Sequence, residues 1–302
     1  MSAQVSSAPP PTERPSSSSG SETSRPPPSD GVVVGLRIRP LLSRDHEEGA
    51  TECLKKVHGE PQVVLGGDRA FTFNHVFDPA CTQEALYQQC MKPIIDSVLE
   101  GYNATVLAYG QTGSGKTHTM GTAEAAADVG EGAGLIPRAL KELFSRANTP
   151  DSGITCSAIA SFIEIYKEEV HDLLNLSTET GTVATLPIRE QSAAEGGGLT
   201  LTGQQSKIVS TVEEAMGVLA DGARNRATGA TIMNATSSRS HAIFTLSLDL
   251  KLADGKTYTP KLHFVDLAGS ERAKRTGATG ERMKEGIQIN KGCANISCHR
   301  FG

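Results

Sequence analysis

The sequence predicts a three-layer α/β domain, in which helices flank both faces of a central, mixed but mainly parallel sheet. Short apolar runs of strand length alternate with amphipathic helical patterns along the chain. One such run leads directly into a glycine-rich turn followed by a helix. An Asp-Gly turn joins two further strand patterns. No internal repeat is present, so the elements are expected to form one domain.

Composition excludes several classes of protein. The chain has 302 residues, 37% of them hydrophobic, with no Trp and a formal net charge of -5. This balance argues against a basic protein that binds nucleic acid or a membrane surface along its whole length. No apolar run is long enough to cross a bilayer, and the N-terminus lacks a secretion signal. Six cysteines without zinc or disulfide spacing favour reduced thiols and a cytoplasmic location.

The first part of the chain differs from the rest. Residues 1–29 are rich in Ser and Pro and predict a disordered tail, because they cannot bury enough apolar surface to offset the entropy of ordering. Order is expected from the β-branched run Val32–Val34, which predicts a buried strand. A helix is predicted over 84–99, with Pro93 inside it and Gly101 as its stop.

The remaining elements follow from periodicity. The run 104–109 predicts a central strand, 121–134 a flexible loop and 136–146 a helix. A strand is predicted over 155–166, and Thr211 with Glu214 predicts a capping box at the start of the next helix.

Beyond that helix, apolar and polar residues alternate from Phe244 to Leu250, which indicates a half-buried strand. Its partner is predicted over 261–267, after the turn at Asp254-Gly255.

The most specific motif is a glycine-rich loop after the strand 104–109. Gly110-Gln111-Thr112-Gly113-Ser114-Gly115-Lys116-Thr117 fits the G-x-x-x-x-G-K-[ST] pattern. Its backbone N–H groups and the start of the following helix suit phosphate oxygens. Lys116 supplies a positive charge to the outer phosphates, and the Thr117 hydroxyl suits Mg²⁺. In this context a merely structural turn is a weak alternative.

Two further segments fit a nucleotide switch. Residues 234–241 place several hydroxyls around Arg239 before a strand, although an ordinary polar loop explains this segment alone equally well. Asp266 ends an apolar strand, where a carboxylate can hold Mg²⁺ through water, and Gly269 leaves room for a γ-phosphate. Loops ordered by a γ-phosphate and released on hydrolysis convert chemistry into motion.

Together these motifs resemble the kinesin motor domain. The segments that carry the resemblance are Gly110–Met120, Asn234–His241, Val265–Glu271, Arg37–Pro40, Ser161–Tyr166 and Lys284–Lys291. The resemblance covers residues 31 to about 292 and is strongest to the chromokinesin (kinesin-four) class. It implies a P-loop NTPase fold of the kinesin type, with a partial motor domain over 30–292.

The resemblance also implies roles for individual residues. Arg37 and Pro40 would border the adenine, Ser238 would join Thr117 and Asp266 near Mg²⁺, and Gly269 would sense the γ-phosphate. Arg239 and Glu271 would pair to close the switches, with Glu271 accepting a proton from the attacking water through a second water. The expected ATP-binding set is Arg37, Arg39, Pro40, Gln111, Thr112, Gly113, Ser114, Gly115, Lys116, Thr117 and His118.

The implied partner is the acidic microtubule surface, and the implied location is the cytoplasmic cytoskeleton. A local excess of basic residues after Asp266 suits such a partner, although a solvated charged loop is an alternative. No contact with membrane or nucleic acid is expected, and the parent protein is expected to be a coiled-coil dimer. The residues expected to face the microtubule are Arg272, Lys274, Arg275, Arg282, Lys284 and Lys291.

The resemblance stops near the end of the chain. Residues 293–302 diverge from the family pattern, so a truncated fragment that only binds nucleotide or tubulin is the alternative to an active motor. Cys293, Cys298 and His299 are too scattered to indicate a metal site. A GTPase switch is set aside, because Asn290-Lys291-Gly292-Cys293 lacks the aspartate that would recognise guanine.

Overall fold

The computed structural model describes residues 31–122, 130–147, 149, 153–177, 182–191, 198–232 and 237–271. The chain divides into two units, 1–32 and 33–302, and every element below belongs to the second. The predicted tail over 1–29, the middle of the predicted loop (123–129) and the divergent end (293–302) lie outside the described residues.

The helices are short except for two. They are α1 Ser43–Glu47, α2 Gln83–Leu86, α3 Lys92–Leu99, α4 Lys116–Met120, α5 Leu135–Ala147 and α6 Val212–Ile232. A π-helical turn, Tyr87–Met91, joins α2 to α3, and a 3-10 turn, Ser237–Arg239, precedes a long strand.

The strands fall into one large sheet and three small ones. They are β1 Gly35–Arg37, β2 Leu54–Lys56, β3 Gln62–Leu65, β4 Arg69–Thr72, β5 His75–Phe77, β6 Ala104–Ala108, β7 Ile154–Tyr166, β8 Glu169–Leu176, β9 Val183–Leu186, β10 Ile188–Glu190, β11 Leu199–Leu201, β12 Lys207–Val209, β13 His241–Leu252, β14 Thr257–Tyr258 and β15 Lys261–Asp266. The large sheet has eight strands in the order β6-β15-β13-β7-β8-β9, with β12 paired to β7 and β14 to β13.

The prediction of a mixed sheet is confirmed, but the prediction that most of its strands are parallel is wrong for the described strands. In the large sheet β15 pairs with β6 in parallel, whereas β13 runs antiparallel to both β15 and β7, and β8 runs antiparallel to β7. The cause lies in the connections, because short turns such as Lys167-Glu168 can join only antiparallel neighbours. The small pair β1 and β5 is parallel.

One face of the large sheet carries the core. Phe162, Phe244 and Phe264 are register partners across β7, β13 and β15, and each is at most 1% exposed. The first two rings meet edge-on at 5.5 Å. Helices α3, α5 and α6 pack on this face through a shared cluster that includes Leu140 and Leu219. On the opposite face, Ile163, Ile165 and Ile243 are half-buried. The sequence predicts a second layer of helices on that face, and within the described residues this layer stays a prediction.

Two predicted elements need correction. Val32–Val34 is not a buried strand, since these residues are 85%, 59% and 45% exposed and β1 begins only at Gly35. Within the described part of the chain, the hydrogen bonds of Val34 are to the loop residue Asn74 and to His75, and none extends the β1 ladder to Val32. The helix predicted over 84–99 is divided by the π turn just before Pro93, because proline removes one donor from the helical ladder.

The other predicted helices and strands are present in the described residues with small shifts in their bounds, but β6, predicted as a central strand, lies at one end of the strand order of the large sheet. Strand β7 and helix α5 match the predicted ranges closely, and β13 alternates as expected, with Leu246 and Leu250 fully buried. Thr211 Oγ1 accepts a hydrogen bond from the Glu214 N–H at 3.2 Å, so the capping interaction exists. No helix in the described ranges is long and apolar enough to cross a membrane.

Close packing of α6 on β7 leads to a prediction at Gly222. A Cβ atom at Gly222 would overlap the Phe162 ring, and both residues are buried. We expect Gly222→Ala to lower the free energy of unfolding by about 1–3 kcal/mol, because α6 must shift away from the sheet. Urea denaturation measures this change.

Gly217 provides the matched control in the same helix. A Cβ atom there meets nothing within 4 Å. Gly217→Ala should therefore stabilise the protein by up to about 1 kcal/mol through helix propensity alone. Equal effects at the two positions would contradict the packing argument.

Candidate nucleotide-binding site

The glycine-rich loop connects β6 to α4, as the sequence predicts. Gly113 and Gly115 have φ angles of 78° and 94°, in the left-handed region that residues with a Cβ seldom adopt. These conformations let the backbone curl before α4 begins at Lys116. The result is a main-chain cradle of the kind that binds phosphate groups.

Lys116 lies folded over the loop that precedes it. Its Nζ donates to the carbonyl oxygens of Gly110 and Gln111, at 3.0 and 3.1 Å. The ammonium group is thus held at the mouth of the cradle by two neutral acceptors. An anion that enters the cradle would meet this charge directly.

Thr117 and Asp266 meet as the sequence predicts for a metal site. Thr117 Oγ1 donates to Asp266 Oδ2 at 2.8 Å, although 149 residues separate them. Asp266 is only 3% exposed, and its Oδ1 atom is buried without a hydrogen-bond partner. A buried carboxylate oxygen in this state is costly unless a ligand satisfies it. These residues therefore fit Mg²⁺, which prefers oxygen ligands and retains water.

The segment after β15 is hydrogen-bonded both to the glycine-rich loop and to the hydroxyl-rich segment that contains Ser238. The Gly269 N–H donates to the Ser238 carbonyl at 2.7 Å, and the Ser270 N–H donates to the Gly110 carbonyl at 3.1 Å. A Cβ atom at Gly269 would collide with the Glu271 carboxylate and the Thr112 hydroxyl, so a side chain here would displace these two groups. The cradle and the two switch segments are therefore contiguous in space.

Glu271 binds the cradle itself. Its carboxylate accepts from the Thr112 N–H at 2.9 Å and from Thr112 Oγ1 at 2.5 Å. Burial raises the pKa of Glu271, but the Thr112 hydrogen bonds and the charge of Lys116 outweigh it, so the pKa is lowered overall. The carboxylate is thus ionised at neutral pH. The ion pair expected between Arg239 and Glu271 stays a prediction.

The residues expected to bind ATP outside the glycine-rich loop, of which Arg37 and Pro40 are assigned to adenine, lie beside the cradle. Arg37 ends β1 and donates to Thr119 Oγ1 at 3.0 Å, and desolvation lowers its pKa. Arg39 pairs with Asp45 at 2.7 Å and reaches within 4.0 Å of the Cβ position of Gly115. Pro40 and His118 are exposed and so accessible to a ligand. The structure therefore brings these residues to one end of the site.

A buried ionic cluster, which the sequence does not predict, lies behind Asp266. Arg226 on α6 donates to Glu164 Oε1 at 3.1 Å and lies 3.4 Å from Asp266 Oδ2. It also donates to the carbonyl and hydroxyl oxygens of Ser240, at 3.1 and 3.2 Å. All four residues are at most 6% exposed. The signal that the sequence offers for this cluster is an arginine at a position on the apolar face of the helix. Helical periodicity alone does not distinguish such a buried arginine from a surface arginine.

His241 and Gln83 were missed as well. His241 is 4% exposed, and its Nδ1 accepts from the Ala268 N–H at 3.0 Å. Burial, followed by the charges of Arg226 and Lys116, lowers its pKa to about 4, so the ring is neutral. Gln83 is buried beside Arg37 and His118.

Several predicted site residues lie outside the described part of the chain. They include 234–236 of the hydroxyl cluster and the whole basic set proposed to face a microtubule, namely Arg272, Lys274, Arg275, Arg282, Lys284 and Lys291. Their assignments stay predictions.

Comparison with known proteins gives consistent matches. A family model described as "Kinesin motor domain" matches residues 37–297. "Kinesin-like protein KIN-4C" of Oryza sativa subsp. japonica is 47% identical over an alignment of 285 residues, and the match covers 87% of this chain and 22% of that protein. "Chromosome-associated kinesin KIF4" of Mus musculus is 46% identical over 264 residues, 86% of this chain and 21% of that protein.

Other matches bear on the subclass and the fold. "Kinesin-like protein KIF27" of Homo sapiens is also 46% identical, over 86% of this chain and 19% of that protein, so identity alone does not single out the chromosome-associated relatives. A solved structure, "Structure of a fast kinesin: Implications for ATPase mechanism and interactions with microtubules", matches with a TM-score of 0.74 and 35% identity. That match covers 86% of this chain and 71% of the other.

The chain spans about a fifth of the length of the curated relatives it matches, with 22%, 21% and 19% for the three named above. The family model nevertheless covers most of the chain, and the motifs that it spans form one contiguous site. This chain belongs to the kinesin motor-domain family.

Proposed function

We propose that this chain binds MgATP, hydrolyses it and couples the switch segments to microtubule binding. The observation that carries the proposal is the meeting of three distant motifs at one point. Thr117 bonds to Asp266, Thr112 bonds to Glu271, and Gly269 bonds to Ser238. A phosphate held in the cradle would therefore contact both switch segments.

Each group has a distinct role in this proposal. The cradle amides and Lys116 hold the β- and γ-phosphates, and Gly269 offers an N–H to the γ-phosphate. Thr117, Ser238 and Asp266 would hold Mg²⁺, which neutralises charge that develops on the phosphate oxygens. Glu271 is ionised and able to accept a proton from the attacking water through a second water, with Arg239 as its partner in the closed state.

Hydrolysis would change the contacts of the switch segments. The Gly269 and Ser270 N–H groups donate to Ser238 and Gly110 in this structure. A γ-phosphate would compete for the Gly269 N–H, and its release would restore the present bonds. This exchange gives the two segments alternative positions controlled by the nucleotide.

The proposed partner is the acidic surface of the microtubule in the cytoskeleton. Basic residues at 272–291 follow directly on the segment that contacts the cradle. Their attraction to an acidic surface should weaken as salt screens it. A coiled-coil dimer is proposed for the parent protein only.

ATP turnover by the full chain, with and without microtubules, tests the proposal. We expect MgATP hydrolysis that microtubules accelerate at low salt, and Lys116→Ala should reduce it by about 100-fold or more. Lys141→Ala is the matched control, since Lys141 is an exposed lysine on α5. Binding of ATP without any turnover would instead support a fragment that only binds nucleotide.

A further inference from the structure

Gln83, the first residue of α2, is unusual because its polar side chain is buried. It is only 4% exposed. Glutamine is mostly found at protein surfaces, and a buried amide is costly unless its donor and acceptor positions are satisfied.

The Gln83 amide joins four parts of the chain. Its Oε1 accepts from Arg37 Nη1 at 2.8 Å, which reaches β1. Its Nε2 donates to the main-chain carbonyl of His118 in α4 at 2.8 Å, and to that of Gly132 before α5 at 3.4 Å. Gln83 therefore sets the relative positions of Arg37 and His118.

The chemistry of Arg37 determines the orientation of this amide. A guanidinium can only donate, so the Gln83 atom that faces it must be the oxygen. The NH₂ group then faces His118, whose Nε2 lies 3.3 Å away.

Arg37 uses its N–H donors on neighbouring groups of the protein. Its guanidinium donates to Gln83, Thr119 and the Cys81 carbonyl, at 2.8, 3.0 and 3.4 Å. These partners occupy positions along the edge of the planar group. The planar face suits stacking against an aromatic ring such as a purine.

We propose that Gln83 is a positioning residue for the base of the bound nucleotide, acting through Arg37 and His118. The inference rests on the proposed binding of MgATP and on the expected ATP-binding set, which includes those two residues. No hydrogen bond of Gln83 in the structure involves residues 110–117 of the cradle. Its contribution is therefore to recognition of the base and not to the grip on phosphate.

Comparison of ATP with tripolyphosphate, which lacks base and sugar, tests this inference. Dissociation constants for both magnesium complexes are measured by calorimetry with the full 302-residue chain. In Gln83→Met we expect ATP affinity to fall about 10-fold, while tripolyphosphate affinity changes by less than about twofold. The maximal turnover rate should change less than the KM for ATP.

Two further variants sharpen the test. Gln83→Glu keeps an acceptor for Arg37 but places a carboxylate against the His118 and Gly132 carbonyls, so the same selective loss is expected. If Gln83→Met does not fold, the affinities of Gln83→Glu for ATP and tripolyphosphate test the inference in its place. Gln88→Met is the matched control, because Gln88 is exposed and donates to Glu84 on the same helical segment.

The outcomes are distinguishable. Equal loss of both ligands in a folded variant would show a general structural role and overturn the inference, as would unchanged ATP affinity. If the unmodified chain binds tripolyphosphate but shows no preference for ATP, base recognition by Gln83 fails while the cradle stands. If it binds neither ligand, the proposed function fails and the inference falls with it.

Discussion

Replacement of Glu271 by alanine should leave ATP bound but slow its hydrolysis by about 10²- to 10⁴-fold, the usual contribution of a general base. The carboxylate is ionised and lies at the junction of the cradle and the switch segment. Its removal also frees the Thr112 N–H and hydroxyl, which favours phosphate binding. Single-turnover kinetics with MgATP separate the binding step from the chemical step.

Glu271→Gln distinguishes the two roles that the structure gives this side chain. The amide retains an oxygen that can accept from Thr112, but it cannot take a proton from water. If Glu271 acts as the base, both variants hydrolyse ATP slowly. Near-normal turnover in Glu271→Gln would show that Glu271 only anchors the cradle.

Replacement of Arg226 by alanine should have the largest effect on stability. Its guanidinium lies between Glu164 and Asp266, and the side chains of all three are at most 7% exposed. Without Arg226 these two carboxylates stay buried with no opposite charge between them. Removal of one partner from such a cluster lowers the free energy of unfolding by about 3–5 kcal/mol. Chemical denaturation measures this loss.

Arg224→Ala is a matched control, two residues earlier on the same helix. Arg224 pairs with Asp221 at 3.4 Å, and its side chain is 68% exposed. Exposed pairs of this kind contribute little, so a change within about 0.5 kcal/mol is expected. Similar effects at the two arginines would refute the argument from burial.

Added MgATP should also recover less stability in Arg226→Ala, because Asp266 loses its alignment toward the proposed metal site.

The local motifs were predictable because their chemistry depends on adjacent residues. Thr117 follows Lys116 in a loop where the glycines set the backbone, and β6 precedes that loop as its apolar run predicts. The capping box at Thr211 and the alternation in β13 are equally local. Residues that act through their immediate neighbours leave a recognisable pattern in the sequence.

The strand directions were less predictable. Strand patterns indicate which face is buried, but not which strand lies beside which. The antiparallel pairing of β13 with β7 extends from His241, opposite Ile165, to Leu252, opposite Ile154, so the partners lie 76 to 98 positions apart in the chain. The exposed run Val32–Val34 is a second example. An apolar run is buried only where another element packs against it, and composition does not show which element that is.

The sequence by itself indicated the glycine-rich loop proposed to bind phosphate, the hydroxyl and carboxylate proposed to hold Mg²⁺, and the family. Only the tertiary structure revealed that Arg226 supports Asp266 from behind, that Glu271 bonds to Thr112, and that Gln83 connects Arg37 to His118. The physical reason is that these side chains act across 35 to 159 positions of chain. Their partners are selected by packing of the helices on the sheet, and packing leaves no pattern of fixed spacing.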